Sequence, residues 1–595
     1  MTTWSQSPRF TFVPEAESGI DFRNIVQDTR EQNILIYSNF YGGGGVGVGD
    51  FNQDGWPDLY FAGNLVGDRL YLNEGDFRFR EVTEAAGIVN RGGWSSGVVV
   101  ADVNNDGWDD VYVTKELYDH QPELRRNELY INQKDGTFVE QAEKYGVDHD
   151  ARTRHATFWD YDKDGWLDLY LLNQPPNPGN FSDQFDVNKQ QAQFTSRLFR
   201  NTGKGRFVET TTKTGIGKVG FPNSVTASDL NNDGWTDLYV ANDFDAPDWF
   251  FLNQGDGTFV NVLDSAMQHT SYFSMGVDAA DINNDGWQDL MVVDMQAEDN
   301  FRIKSNMSGM DPAAFWRVVN RGGHYQYMYN AMQLNQGTFS PTSSLPQFSD
   351  IGQLSGMSST DWSWSNLIAD FDNDGHKDVF VTNGLLRDIR NTDSDKNFGA
   401  YVEKEVNEFI ANNPSAGDVS IWDILKLDEA LEVIPSVPLN NYAFRNNGDL
   451  SFTKVIEEWG FDLPTFSNGA AYADLDLDGD LDLIISNVNE VAFLYRNETQ
   501  AQDYLRVSVS DSKKHRSPFG VKVKLETTNG AQWYEFTNVR GMYSTSEQVA
   551  HFGLAPGTEI LGLEVSWWDG THTRISEVAP NQQLEIDYRK ADRND

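Results

Sequence analysis

The chain has 595 residues, no cysteine and a formal net charge of −44 at pH 7. The lack of cysteine excludes disulfides, thiolate metal sites and cysteine nucleophiles, and the acidic excess argues against nucleic acid as a partner. No apolar run approaches the roughly 18 residues that a membrane-spanning helix needs.

The N-terminal segment MTTWSQSPRF has no apolar signal core. It indicates either a cytoplasmic protein or one whose targeting segment is missing here, and we favour the second. Residues 10 to 20 (FTFVPEAESGI) match a strand that closes later repeat units (FRFREVTEAAGI), although no acidic loop precedes them. We therefore expect this strand to complete the last unit of a closed ring, which hides edge strands.

A nine-residue pattern begins at Asp50 (DFNQDGWPD) and occurs seven times. Each copy has a carboxylate or amide at positions 1, 3 and 5, glycine at 6 and a carboxylate at 9. Ca²⁺ takes roughly 6 to 8 oxygen ligands, and the glycine permits the sharp turn that lets alternate side chains converge. One isolated copy would be an ordinary hairpin turn, but the repetition predicts up to seven calcium sites.

The predicted calcium ligands include the backbone carbonyl of position 7. They are Asp50, Asn52, Asp54, Trp56, Asp58, Asp102, Asn104, Asp106, Trp108, Asp110, Asp160, Asp162, Asp164, Trp166, Asp168, Asp229, Asn231, Asp233, Trp235, Asp237, Asp281, Asn283, Asp285, Trp287, Asp289, Asp370, Asp372, Asp374, His376, Asp378, Asp474, Asp476, Asp478, Asp480 and Asp482. We interpret the tryptophan rings of the DGW triplets as packing between neighbouring sheets.

The flanks of these loops predict strands. Position 12 is apolar in every copy, so the glutamate of an EF-hand is missing. Short apolar runs precede and follow each loop and predict two strands. A second pair of strands comes next, in which the first strand ends in Asn and a turn with Gly leads to the second, as in RLYLNEGDFRFREVTEAAGI (69 to 88). Four strands per unit predict an all-β, seven-bladed β-propeller with the loop between the first two strands of each blade.

Two long gaps between loops indicate insertions, at residues 295 to 331 and 395 to 433. The second has helical spacing interrupted at Asn413-Pro414, which predicts two short helices outside the blades. Insertions of this length in a rigid scaffold are more often functional than not.

The propeller is predicted to span residues 1 to 500, and a second domain residues 501 to 595. The alternating runs of this tail (YLRVSVS, VKVKLETT, QWYEFT, EILGLEVSWW) predict a small antiparallel β-domain with a sandwich-like arrangement.

With these loops, four-strand units and tail, the chain resembles the FG-GAP/VCBS-repeat propellers that end in an ASPIC/UnbV domain. This group includes the cartilage acidic protein family and bacterial surface proteins. The tail carries the pattern of that group in DYLRV (503 to 507), FGVKV (519 to 523), RGMYS (540 to 544) and HFGL (551 to 554), and departs from it at Trp568, where proline is usual. The resemblance implies calcium and an extracellular or cell-surface setting, but it is weak for activity.

A ligand is expected at the blade face opposite the calcium loops. The predicted rim residues are Trp94, Arg154, His155, Asn223, Trp362, Trp364 and Asn468. The ends of the second strands add Lys115, Glu116, Asn173, Asn242, Asp243, Asp294, Asn383 and Asn487. Side chains of this kind suit a sugar or a peptide, although rim residues that only solvate or fill a channel would look the same.

Three functions are compatible with these features. The first is a secreted or cell-surface, calcium-stabilised adhesion protein that binds a glycan, peptide or protein. The second is a propeller enzyme, of the polysaccharide lyase kind or another biosynthetic kind, in which Arg154 and His155 would be catalytic. The third is a subunit of an outer-membrane assembly. The sequence shows no Ser or Cys partner for His155, and we favour the first.

Overall fold

The computed structural model describes residues 8–175, 193–244, 246–306, 312–340, 343–414, 417–499, 502–590 and 593–594. Within these ranges the main body consists of seven four-stranded antiparallel sheets, numbered 1 to 7 along the chain. Sheet 1 contains β2 (Val46–Gly49), β3 (Asp58–Phe61), β4 (Arg69–Asn73) and β5 (Phe79–Glu81); sheet 2 contains β6 (Trp94–Ala101), β7 (Asp110–Glu116), β8 (Glu128–Asn132) and β9 (Phe138–Glu140).

The next sheets repeat this order. Sheet 3 contains β10 (Arg152–Trp159), β11 (Asp168–Gln174), β12 (Arg197–Asn201) and β13 (Phe207–Glu209); sheet 4 contains β14 (Pro222–Ser228), β15 (Asp237–Asn242), β16 (Trp249–Asn253) and β17 (Phe259–Asn261). Sheet 5 contains β19 (Val277–Ala280), β20 (Asp289–Val292), β22 (Ala331–Thr338) and β23 (Pro346–Asp350); sheet 6 contains β24 (Ser363–Ala369), β25 (Asp378–Asn383), β26 (Tyr442–Asn446) and β27 (Phe452–Lys454). A short parallel pair joins β18 (Thr270–Ser271) to β21 (Gln326–Tyr327).

Sheet 7 closes the ring in the way the sequence predicts. It contains β28 (Ser467–Ala473), β29 (Asp482–Asn487) and β30 (Phe493–Asn497), and its outer strand is β1 (Phe10–Val13), which pairs antiparallel with β30. The first strands of the sheets contact one another in the cycle β2, β6, β10, β14, β19, β24, β28 and back to β2. The all-β propeller fold is confirmed, and the chain ends of this unit lie side by side in one sheet.

Short helices follow the outer strands. Single turns occur at α1 (Glu15–Ser18), α2 (Ala142–Tyr145), α3 (Thr211–Thr214), α4 (Leu263–Ala266), α7 (Gly352–Ser355) and α11 (Ile456–Trp459), and a 3₁₀ turn at Pro122–Arg125. Most of these turns end at a glycine, as in YGV (145 to 147) and TGI (214 to 216), because a glycine such as Gly146 can adopt φ 76° after the last helical residue.

The insertions are helical. The first contains α5 (Asn300–Ser305) and α6 (Pro312–Asn320), and the second contains α8 (Thr392–Asn412), α9 (Ile421–Ile424) and α10 (Leu427–Glu432). The prediction of two short helices in the second insertion was wrong: α8 has 21 residues, and two shorter helices follow the break at Asn413. The side chain of Asn391 caps α8 by accepting from two backbone N–H groups.

The tail forms two sheets around its own core. One holds β31 (Asp503–Ser510) between β34 (Ala550–Leu554) and β37 (Gln582–Asp587); the other holds β33 (Gly530–Glu535), β32 (Lys522–Thr527), β35 (Ile560–Ser566), β36 (His572–Ile575) and β38 (Arg593–Asn594). The pair β31 and β37 is parallel, so the tail is not purely antiparallel as predicted.

The tail also enters the propeller. Residues 536–547, called the channel segment here, run along the inner strands and are almost entirely buried. Thr545 exchanges backbone hydrogen bonds with β2, the Tyr543 carbonyl accepts from Val98 in β6, and Asn538 bonds Val100 and Phe158. The channel is therefore filled by a segment of the second domain.

Candidate metal centres and channel mouth

The seven acidic loops share one hydrogen-bond pattern. In the first loop the carboxylate of Asp50 accepts from the backbone N of Asp54 at 3.0 Å and of Gly55 at 2.9 Å. Equivalent bonds hold the position-1 carboxylates Asp102, Asp160, Asp229, Asp281, Asp370 and Asp474. The glycine at position 6 has a left-handed φ, which is 89° at Gly55. The loop therefore curls around its own first carboxylate.

The position-9 carboxylate ties the loop to the sheet. Asp58 accepts from the backbone N of Phe51 at 3.0 Å and from the backbone N of Asn73, in the third strand, at 2.8 Å. The same pair of bonds occurs in all seven loops. Burial raises the pKa of Asp58 to about 8. Burial thus disfavours the ionised form of Asp58, and a bound cation would stabilise that form.

Several side-chain oxygens in the loops fit a cation. The position-3 oxygens Asn104 Oδ1, Asp162 Oδ1, Asp372 Oδ1 and Asp476 Oδ1 are buried and have no hydrogen-bond partner among the residues that the structure describes. In three loops, a cluster of three aspartates has carboxylate oxygens within 4.8 Å of one another. The clusters are Asp160, Asp162 and Asp168; Asp370, Asp372 and Asp374; and Asp474, Asp476 and Asp478. Burial raises the pKa of Asp160 and of Asp474 to about 7. An all-oxygen donor set of this kind suits Ca²⁺.

The tail domain contacts most of these loops, and in three of them it pairs with the position-1 carboxylate. Lys522 Nζ lies 2.9 Å from Asp229, Gly553 N donates to Asp370 at 3.0 Å, and Arg506 Nη1 lies 2.8 Å from Asp474. These contacts place the tail on the loop face of the propeller. The opposite mouth of the channel is not covered by these tail contacts.

One recurring side chain was not recognised from the sequence. The asparagine that ends the third strand donates from Nδ2 to the position-2 carbonyl of the loop in the preceding sheet; for Asn446 this is the Ile282 carbonyl, at 2.9 Å. The other six are Asn73, Asn132, Asn201, Asn253, Asn335 and Asn497. The sequence contained this signal in the asparagine that ends each strand of the RLYLN type (69 to 73), because an asparagine at a fixed place in every unit needs a fixed partner.

The tryptophan rings of the DGW triplets have a different role from the one predicted. Gly203 and Gly337, in the outer turns of sheets 3 and 5, lie against the rings of Trp166 and Trp287 of the same sheets. The rings therefore cover a turn within their own sheet. Trp235 also lies under the ammonium of Lys163 from the preceding loop, at 4.3 Å.

The predicted rim residues meet at the mouth opposite the loops, but they do not form one exposed surface. Arg154, Asn223, Trp362 and Trp364 line a pocket there, with about 620 Å³ of space including its opening to solvent. Arg154 is buried and its nitrogens are engaged: Nη1 donates to Glu116 at 2.9 Å, and Nε and Nη2 donate to Asn223 Oδ1.

The structure corrects the placement of His155. Its side chain is fully buried below the mouth and packs on the ring of Tyr543 in the channel segment, with ring centroids 6.0 Å apart. Neither ring nitrogen has a hydrogen-bond partner among the described residues. Burial lowers the pKa of His155 to about 3. The ring is thus a neutral packing group that a ligand at the mouth does not reach.

Trp94 and Asn468 are also buried. The ring of Trp94 packs on Phe40 at 5.2 Å and on Tyr37 at 6.3 Å, and Asn468 Nδ2 donates to the Tyr41 carbonyl at 3.2 Å. Both residues therefore support the N-terminal segment that borders the mouth.

Five further side chains line the mouth, and of these only Asp243 was predicted, as an end of a second strand. The pocket is also lined by Asn39, Asp243, Phe244, Phe273 and Arg390. Asp243 and Phe244 follow the second strand of sheet 4, and Phe244 has a φ of 61°, unusual for a bulky residue. Apart from Asp243, which was predicted from its place after a second strand, no periodic signal marks these positions, because each belongs to a connection that differs between units.

Comparisons with known proteins agree with the repeat and tail assignments. The FG-GAP-like repeat family matches residues 50–113, 188–240 and 229–292, and the ASPIC and UnbV family matches residues 511–593. The chain therefore carries FG-GAP-like repeats and a C-terminal ASPIC and UnbV domain.

Curated relatives are distant. Cartilage acidic protein 1 of Xenopus tropicalis is 26% identical over 390 residues, 64% of this chain and 47% of that protein. The protein of the same name from Mus musculus is 23% identical over 569 residues, 91% of this chain and 73% of that protein. The chain thus spans about half the length of the first relative and about three quarters of the second.

Two solved structures were also matched. A lectin of Agrocybe aegerita, described by its recognition of non-reducing terminal N-acetylglucosamine, is 15% identical with a TM-score of 0.34, over 77% of this chain and 91% of the lectin. The Bacillus licheniformis rhamnogalacturonan lyase is 10% identical with a TM-score of 0.34, over 77% of this chain and 72% of the lyase. TM-scores of this size do not establish a shared site.

Proposed function

We propose that this protein is a calcium-stabilised, extracellular binding protein that presents the mouth of its propeller channel to a glycan, peptide or protein partner. The observation that carries the proposal is the aromatic pocket at that mouth, which lies on the face opposite the acidic loops and the tail. A concave, largely apolar site with a few convergent polar groups is the usual form of a ligand site.

The loops support the calcium part of the proposal. Their unpartnered oxygens and the raised pKa values of their buried carboxyl groups favour a bound cation, and up to seven such sites would act as the staples that a cysteine-free chain lacks. Weak extracellular calcium modules work at the high calcium concentration outside cells. The name of the curated relatives, cartilage acidic protein, is consistent with an extracellular setting.

The two alternative functions have less support. A propeller enzyme built on Arg154 and His155 would need an acid or base that reaches substrate, and these side chains are respectively bound to Glu116 and buried without a partner. Co-purification of partner proteins under native extraction would decide in favour of the outer-membrane assembly. Among the described residues, no helix is both long and apolar enough to cross a bilayer.

A paired-variant binding screen tests the proposal. Full-length protein in calcium buffer is applied to glycan and peptide arrays, together with the pocket variant Phe244→Ala/Phe273→Ala and the control Phe301→Ala/Phe339→Ala. The control removes two rings that are 74% and 80% exposed elsewhere on the surface. We expect wild type and control to bind the same ligand and the pocket variant to bind it at least about tenfold more weakly.

Equal binding by both double variants would place the ligand site elsewhere. Failure of all three proteins to bind any array component would contradict the binding function itself. Melting temperatures of the variants, measured in the same buffer, establish that each one is folded.

A further inference from the structure

The pocket at the channel mouth has hydrogen-bond donors with nothing to bind. Trp362 is 7% exposed, and its Nε1 is buried without a hydrogen-bond partner in the described structure. Asn39 Nδ2 is in the same state, and both residues line the pocket. Buried N–H groups are costly when unpaired, so these two are expected to meet acceptors on a ligand.

One carboxylate supplies the opposite capacity. Asp243 is 9% exposed, lines the pocket and accepts from the backbone N of Phe244 at 2.8 Å, and the Asn223 side chain is also within hydrogen-bonding reach of its carboxyl group. A carboxylate has about four acceptor positions, so the group retains room for hydroxyl donors. The pocket therefore offers donors and a strong acceptor to the same ligand.

The charges around the pocket balance. Its charged lining residues are Arg154, Asp243 and Arg390, and Arg154 is neutralised by Glu116 beneath it. The remaining pair, Asp243 and Arg390, sums to zero, and the Arg390 guanidinium is close enough to act on the Asp243 carboxyl. The pocket lining thus carries no net charge once Arg154 is paired, which favours a ligand that also has no net charge.

The walls are apolar between these polar groups. Phe244 packs against Phe221 with ring centroids 5.1 Å apart and against Phe273 at 6.2 Å, and Met275 and Met295 lie in the same lining. A ligand that suits such walls needs an apolar face beside its hydrogen-bonding groups. The C–H face of a pyranose ring and its ring of hydroxyls have this combination.

The floor links the pocket to the tail domain. The Arg154 guanidinium lies 5.4 Å above the ring of Tyr543 in the channel segment, and its Glu116 partner also accepts from Tyr37 at 2.6 Å. These buried contacts hold the base of the pocket in place. The site is therefore complete only when the tail fills the channel.

We propose that this pocket binds one neutral sugar ring, with Asp243 accepting from ring hydroxyls and with Trp362 Nε1 and Asn39 Nδ2 donating to ring or hydroxyl oxygens. The inference rests on the binding function proposed above and names its ligand class. Specificity for the sugar then comes from side chains that lie outside the repeated strands.

Direct titration tests the inference. Full-length, calcium-loaded protein is titrated with the neutral methyl glycosides of glucose, galactose, mannose, fucose and N-acetylglucosamine. Methyl glucuronide serves as the acidic probe and N-acetyl-lysine methylamide as the cationic probe. Binding is followed by calorimetry and saturation-transfer NMR. We expect saturable binding of at least one neutral glycoside and none of the charged probes.

Three variants locate the site. Trp362→Phe keeps an aromatic ring but removes the N–H, and we expect about fivefold weaker binding; Asp243→Asn should weaken it about tenfold, the size expected for one bond to a charged group. The matched control is Asp393→Asn, an exposed aspartate in the first turn of α8. Unchanged melting temperatures show that the losses are local.

The outcomes separate the two proposals. If no neutral glycoside binds, but a peptide or a charged probe does bind and this binding is lost in Phe244→Ala/Phe273→Ala, the sugar assignment is overturned and the binding function stands. A glycoside that binds Trp362→Phe and Asp243→Asn as tightly as wild type would overturn the assigned contacts. No saturable ligand in either experiment would remove both proposals.

Discussion

The two faces of this propeller are built by different means. On the loop face, seven copies of one pattern place equivalent carboxylates in equivalent hydrogen bonds, and the tail domain pairs with the position-1 carboxylate in three of them. At the channel mouth, the pocket combines side chains such as Asn39, Asp243 and Trp362, which do not repeat from sheet to sheet. The difference suggests that the repeated residues provide stability and the unrepeated ones provide recognition.

Calcium removal is the strongest way to test this division. If each occupied site adds about 2.7 kcal/mol at a free calcium concentration of 100 Kd, emptying most of the loops removes more than about 10 kcal/mol of unfolding free energy. We expect EGTA to lower the melting temperature by more than any single substitution at the mouth does, and calcium to restore it. The measurement is calorimetry of the full-length protein with and without EGTA.

Magnesium added after EGTA is the control for ionic strength and charge. A melting temperature that EGTA leaves unchanged would mean that the loop carboxylates stabilise the fold without calcium, and the division between the faces would lose its basis.

A buried ion pair between the domains should have the next largest effect. Arg540 in the channel segment donates to Asp278 in β19 at 2.9 Å, and both side chains are buried. Arg540→Met leaves Asp278 without its cation, a change that typically costs about 3–5 kcal/mol. Urea unfolding should show a lower midpoint, and limited proteolysis should cut the tail faster.

The matched control is Arg574→Met in the same domain, because the Arg574 side chain is 72% exposed and pairs with Glu564 at the surface. Its midpoint should stay close to that of wild type. Similar midpoints for Arg540→Met and Arg574→Met would show that the channel segment adds little to the stability of the ring.

The smallest effect concerns the asparagine that links neighbouring sheets. Asn446 donates to the carbonyls of Ile282 and Lys377, both at 2.9 Å, whereas its neighbour Asn447 is exposed. Asn446→Ala leaves the buried Ile282 carbonyl and the half-buried Lys377 carbonyl short of a donor and should cost about 1–3 kcal/mol. Asn447→Ala should stay within about 0.5 kcal/mol of wild type. Urea midpoints of the two variants give the comparison.

If Asn447→Ala proved as destabilising as Asn446→Ala, the link between sheets would not be the source of the loss. A larger loss for Asn446→Ala than for Arg540→Met would reverse the order expected for the two kinds of contact.

The sequence by itself determined the repeated part of this protein. The spacing of Asp50 to Asp58 and its six copies fixed the loops, the four-strand units and the match between residues 10 to 20 and an outer strand. These features are local, because they depend on neighbours a few residues away and recur often enough to average out accidents of composition. The start of the tail was equally visible as a change in strand pattern.

Only the tertiary structure decided what fills the channel and which of the predicted rim residues line its mouth. The channel segment meets inner strands that lie hundreds of residues away in the chain, which buries Arg154 and His155 instead of exposing them at a rim. Asn39, Asp243 and Trp362 come together because sheets 3 to 6 and the N-terminal segment surround one opening. Such contacts depend on ring closure and domain docking, so they leave no periodic trace in the sequence.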